Sequence, residues 1–222
     1  MSSIFNVEGP VFSTLDRIAD LFWLNILYIL CCVLGLGITV GASTTALYYV
    51  TLKMVKNEEG PITKSFFRAF KSNFKQATAI WLIAVVVGGI LFSDYAVMSG
   101  AWGDISAMPD MMRKVLVVVL FVVGLFYLLT LCYVFPLLAR FENTIRNTIK
   151  NALLISIRHL PYSALLLLIT AAPAILFYFL PGTIILFFII GFSLIAFVSS
   201  YIYVKIFAYY TPKEEKEDPE SI

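Results

Sequence analysis

Long apolar runs, separated by short polar segments, dominate the chain from residue 21 to residue 204. A helix rises about 1.5 Å per residue, so about 20 apolar residues cross a hydrocarbon core of about 30 Å. Five runs fit that requirement: 21–40, 77–93, 115–139, 161–180 and 183–204. The second is slightly short and can extend at either end. Only Pro181 and Gly182 separate the last two, which therefore form a tight antiparallel hairpin. The pattern predicts an all-α fold, a polytopic transmembrane helical bundle of five spans.

Charges between the runs give the bundle a direction. Segment 51–75 holds Lys53, Lys56, Lys64, Arg68, Lys71 and Lys75 against Glu58 and Glu59, and segment 140–159 holds Arg140, Arg146, Lys150 and Arg158 against Glu142. The loop 94–110 has no Lys or Arg. Basic residues concentrate in cytoplasmic loops, so segments 51–75 and 140–159 are assigned to the cytoplasm together with the C-terminus, where Lys205 snorkels from the last span. Five spans then put the N-terminus outside.

One stretch resists that count. The apolar run continues beyond Val40 through Gly41-Ala42-Ser43-Thr44-Thr45 to Val55, and Gly35, Gly37 and Gly41 weaken a helix where it could break and turn. Thr39 or Ser43 could cap a new helix. A crossing back makes six spans with both termini inside. The run is short and rich in Ser and Thr, which favours a helix packed within the bundle near the cytoplasmic side.

Residues 61–77 carry a different period. Phe66, Phe70 and Phe74 recur every four residues beside Phe67, while Lys64, Arg68, Lys71 and Lys75 take the opposite side. This is a basic amphipathic helix of the kind that lies at a membrane surface or packs its aromatic side on the bundle. Residues 141–160 repeat the arrangement more weakly, with Ile145, Ile149, Ala152 and Leu153 opposite Arg146 and Lys150. Segments 21–93 and 115–180 thus both read as span, basic amphipathic helix, span, a possible parallel repeat.

Composition bounds the rest. At 60% hydrophobic and 14% charged over 222 residues, the chain departs far from the soluble norm of about 45–50% apolar and about 25% charged. Residues 1–210 read as one integral membrane domain, and residues 211–222, with Glu214, Glu215, Glu217, Asp218 and Glu220, as a disordered acidic tail. A net charge of +2 offers no field for nucleic acid. One histidine and three cysteines, Cys31, Cys32 and Cys132 in apolar runs, leave too few ligands for an ordinary zinc site. No secretory signal pattern precedes the first run, so that run is expected to be retained.

Ionisable residues at membrane depth are the usual marks of chemistry, and here Asp20 and Asp94 fall at the ends of spans while His159 ends a cytoplasmic segment. No nucleophile elbow, zinc helix or phosphate loop is present, so no catalytic residue, metal or cofactor is assigned. Two polar features remain. Asn25 is the only amide of the first span and must find a partner. The run Gly41–Thr45, with Thr39, suits close helix packing, or a broken helix lining a substrate site.

The stretches Asp20-Leu21-Phe22-Trp23-Leu24-Asn25, Gly41-Ala42-Ser43-Thr44-Thr45-Ala46-Leu47-Tyr48 and Phe70-Lys71-Ser72-Asn73-Phe74-Lys75-Gln76-Ala77 resemble the YesL family of bacterial integral membrane proteins, densely over 12–85 and more loosely beyond. Where that family commonly carries a proline before the Gly-Ala-Ser-Thr-Thr element, this chain has Gly35 to Gly37. The resemblance implies a cell-membrane protein of unknown biochemical activity, whose genes neighbour those of carbohydrate importers and glycan-degrading enzymes. It suggests an accessory or regulatory part in ABC-type carbohydrate uptake, with the lipid bilayer and permease subunits as partners. The alternative is a small-solute transporter with its site among Asn25, Thr39, Gly41, Ser43, Thr44 and Thr45.

Overall fold

The computed structural model describes residues 10–58, 60–102 and 108–211. Every regular element among them is helical: α1 (Pro10–Leu34), α2 (Val40–Val55), α3 (Ile62–Met98), α4 (Asp110–Arg140), α5 (Ile145–Arg158) and α6 (Leu160–Phe179). A seventh helix, α7 (Thr183–Ala208), is continuous but contains one π-type turn at Phe187–Gly191. Of these, α1, α3, α4, α6 and α7 are long and apolar enough to cross a membrane. The acidic tail, apart from Thr211, lies outside the described residues.

The first run does not continue to Val40. It stops at Leu34 because the chain closes a Schellman motif there. Gly37 N–H donates to Cys32 O at 3.0 Å and Leu36 N–H to Val33 O at 3.0 Å, with Leu36 itself in the left-handed region at φ 48°. The same motif ends α2, where Glu58 N–H reaches Lys53 O and Asn57 takes φ 55°, and α3, where Ala101 N–H reaches Ala96 O and Gly100 takes φ 77°. Asn and Gly tolerate that conformation; Leu does so at a cost.

After the break, α2 returns antiparallel to α1. Tyr28 meets Thr44, and at the far end Arg17 hydrogen-bonds Asn57. The start of α1 therefore lies beside segment 51–75, not at the opposite end of the bundle as simple five-span alternation required. At 16 residues α2 is the shortest of the seven save α5, and it is the most enclosed. Gly41, Ala42, Ser43, Thr45, Ala46, Leu47, Tyr48, Val50, Thr51, Leu52 and Met54 are buried against α3, α4 and α7.

Helix α3 joins the basic amphipathic segment and the second span without interruption. Its 37 residues make about 55 Å of helix, well beyond a hydrocarbon core of about 30 Å. The second half of the chain is built differently: the amphipathic segment forms a separate α5, set off from α4 by residues 141–144 and from α6 by His159 alone. Thr144 caps α5, its hydroxyl accepting from Asn147 N–H.

Pro136 supplies a joint. It sits inside α4, has no N–H, and so leaves the carbonyl of Cys132 without its usual helical partner. Tyr203 of α7 donates its hydroxyl to that carbonyl at 2.6 Å. Tyr203 also packs edge-on to Tyr48 of α2 and Tyr133 of α4, with ring centroids 5.5 Å apart in each case. Tyr133 in turn shares a hydrogen bond of 2.8 Å with Ser163 of α6. Four helices thus meet around three tyrosines whose rings are buried and whose hydroxyls on α4 and α7 are satisfied, as buried polar groups must be.

Candidate functional site

The run Gly41–Thr45 lies at the N-terminal end of α2, pressed against α3. A Cβ on Gly41 would stand 2.4 Å from the carbonyl oxygen of Ala77 and 2.7 Å from Trp81 Cβ. Only glycine permits this approach. Trp81 Nε1 donates to Gly37 O at 2.9 Å, tying the α1–α2 turn to the same face of α3. Thr39 stands at the N-cap position of α2, but its hydroxyl turns back to donate to Cys31 O at 2.6 Å and caps nothing. Ser43 lies within the helix rather than ahead of it. Thr45 donates to Gly41 O and Thr44 pairs with Tyr28. Ser43 and Ser199 are fully buried, their hydroxyls beside Cys32 and Tyr48 without completing a hydrogen bond.

Asn25, on α1, engages α7. Its amide donates to Phe188 O at 2.7 Å and its carbonyl accepts from Ser193 N–H at 3.1 Å. Those two groups are five residues apart, the spacing of a π-type rung, and run from within the π-turn at Phe187–Gly191 to just past its end. The side chain clips the opening in α7 and is itself completely buried. Of the six candidate substrate residues, Thr39, Gly41, Ser43, Thr44 and Thr45 are neighbours on α2 and its entry, whereas Asn25 stands on α1 and bonds α7.

The amphipathic face of α3 is also divided. Phe66 is buried in the bundle core and Phe70 half-buried against it, stacked at 6.3 Å between centroids. Phe67 and Phe74 remain exposed, as do Lys64, Arg68, Lys71 and Lys75. One side of the segment packs inward and the rest is exposed. Asp94 is exposed and Asp20 half-buried. His159 lies among the rings of Tyr162, Tyr209 and Tyr210 and shares a hydrogen bond with Tyr210 at 3.1 Å. Among the described residues no three His, Cys, Asp or Glu side chains gather as for a metal ion.

Polar groups converge instead at one end of the bundle. Segments 51–75 and 140–159 and the end of α7, which charge counting places on one side, meet there. Gln76 donates to Asn143 O at 2.6 Å, and Arg158 lies over the Tyr210 ring at 5.9 Å. A cavity of about 460 Å³ opens between α2, α4 and α7, with Lys53, Lys56, Glu58, Arg140 and Thr211 at its polar side. A second, of about 530 Å³, is lined by Arg68, Ser72, Asn73, Gln76, Glu142 and Asn143. Tyr49, Ala139 and Arg140 border both. Sequence reasoning placed these charges in loops of one side; it had no signal for the crevice, because Tyr49 and Ala139 belong to apolar runs.

The architecture defines a polytopic α-helical membrane protein with a short buried helix at its centre and most of the charge of its described residues at one end. Residues 21–95 match the family described as "Protein of unknown function, DUF624". The chain is similar to three proteins of Bacillus subtilis (strain 168), each described as uncharacterized. They are YesL, 27% identical over 199 residues (89% of each chain), YteU, 28% identical over 160 residues (71% of this chain, 68% of YteU), and YesV, 27% identical over 182 residues (80% and 83%). YesL, whose family the opening motifs resemble, is thus among the proteins to which this chain is similar. No solved structure matches it.

Proposed function

We propose that this protein is a non-enzymatic, multi-pass component of the cell membrane that assists or regulates carbohydrate uptake by an ABC-type importer, with its basic end and its C-terminus in the cytoplasm. The observation that supports this reading is the contrast between the two polar regions. The Gly41–Thr45 run is closed by helix packing against Ala77 and Trp81, and none of the cavities above is lined by it. The open, charged ground is the basic end, where a cytoplasmic or membrane-embedded partner has access. Carbohydrate import as the setting rests on the family resemblance alone, an association that does not fix mechanism. A transporter working alone would need its substrate path elsewhere than the α2 break.

The test is purification of the tagged protein from its native membrane in mild detergent, followed by identification of what accompanies it. Enrichment of permease subunits of a carbohydrate importer is the expected result. Recovery of the protein without any permease subunit, together with solute uptake by the protein alone in liposomes, would overturn the reading.

A further inference from the structure

The geometry points to a binding site for a phosphate-bearing ligand in the crevice between α2, α4 and α7. This goes beyond the accessory reading and does not depend on it. Lys53 lies in the last turn of α2 and Lys56 caps its C-terminus, and Arg140 at the end of α4 lines the same crevice. Lys53 Nζ is held 4.6 Å from the centroid of the Tyr49 ring, a cation–π contact that fixes the ammonium at the mouth of the crevice. Glu58 is the one acid lining this cavity among the described residues, so three cations face a single carboxylate. That surplus is a liability unless an anion offsets it. Arg140 brings a planar fork suited to phosphate oxygens, and the lysines supply point charges beside it.

The rest of the lining narrows the ligand. Leu52, Val204, Phe207 and Ala208 form an apolar floor beneath the cations. The volume of about 460 Å³ exceeds what a bare phosphate needs and suits a phosphate ester that carries an organic group onto that floor. Two sources share this chemistry: the headgroup of an anionic lipid, since the crevice opens at the basic end where a bilayer's phosphates lie, and a soluble phosphomonoester.

Both sources are tested on the full chain in detergent. Native mass spectrometry reads adducts after doping with phosphatidylglycerol or with phosphatidylcholine, and a thermal-shift titration uses glucose 6-phosphate and inorganic phosphate. The substitutions Lys53→Gln, Lys56→Gln and Arg140→Gln are compared with Arg113→Gln and Lys114→Gln, which change the same charge at the start of α4, outside the crevice. Each crevice substitution is expected to weaken binding about tenfold, the loss of one charge-assisted hydrogen bond, while the two controls bind as the unmodified protein does. Preference for phosphatidylglycerol assigns the lipid source, and binding of glucose 6-phosphate alone assigns the soluble one. Absence of binding by all four probes, or equal loss in the crevice and control variants, would overturn the site. Because neither readout involves a permease, failure here is distinct from failure of the accessory role.

Discussion

Replacing Gly41 by alanine puts the central contact of the bundle under direct test. The new methyl carbon would sit 2.4 Å from the carbonyl oxygen of Ala77 and 2.7 Å from Trp81 Cβ, whereas ordinary contact begins at 3.4 Å. The nearest obstacle is helix backbone and cannot rotate away, so α2 and α3 must separate by about 1 Å along their closest line. Overpacking of this kind costs about 1–3 kcal/mol, and alanine's better helix propensity returns up to about 1 kcal/mol. The net expectation is a loss of about 1–2 kcal/mol, or about 2–8 °C in Tm for a chain of this size. Gly89, in the interior of α3, supplies the control, since a Cβ there meets nothing within 4 Å. Gly89→Ala should leave Tm unchanged or raise it slightly. The assay is thermal unfolding in one detergent, followed by circular dichroism. A Gly41→Ala protein as stable as the Gly89→Ala protein would refute the claim that glycine at 41 is required by helix approach.

Asn25→Leu removes both hydrogen bonds to α7 and leaves Phe188 O and Ser193 N–H unpaired; a loss of about 1–2 kcal/mol is expected, and an unchanged Tm would show that the clip carries no stability. Leu36 is 88% exposed and left-handed at φ 48°, so Leu36→Gly should raise stability by about 1 kcal/mol, whereas a lowered Tm would contradict the strain argument. Tyr203→Phe leaves the Cys132 carbonyl orphaned beside Pro136 and should cost about 1–2 kcal/mol; in a Pro136→Ala background, where the backbone N–H returns, that cost should shrink, and a double-mutant cycle showing no coupling would refute the link. Because Arg17 bonds Asn57, reporters fused ahead of Ser3 and after Ile222 should report the same side of the membrane, and opposite sides would break the α1–α2 hairpin reading.

The spans were legible in the sequence because hydrocarbon imposes one rule, about 20 apolar residues per crossing, and 115–139 or 183–204 could obey it in only one way. The charge asymmetry put segments 51–75 and 140–159 on one side, and the structure brings them to one end of the bundle, where Arg68 and Glu142 line a common cavity. The break near Gly35 and Gly37 was visible as a weakness, but its position was not, since a left-handed Leu36 is a residue no propensity scale selects. Nor could the sequence say that Phe66 packs inward while Phe67 and Phe74 stay out. A four-residue period marks a face and leaves open what covers it. The partners of Asn25 depend on a π-turn 163 residues away, and such pairings between distant helices leave no local trace.

Helix α2 explains why a bundle with so few charges still carries so many buried hydroxyls. Lipid-facing helices can be apolar throughout, but a helix enclosed by others gains nothing from hydrophobicity inside a membrane, where lipid tails are as apolar as leucine. Its association must come from close approach and hydrogen bonds, hence Gly41, Ala42 and Ala46 at contact and Thr51 sharing a 2.9 Å bond with Ser200. The same logic separates the two ends of α2. Its first turn is small and locked against α3, while from Tyr49 onward it carries Lys53 and Lys56 into the crevice. Those lysines thus belong to the one helix among the described elements that touches α1, α3, α4 and α7.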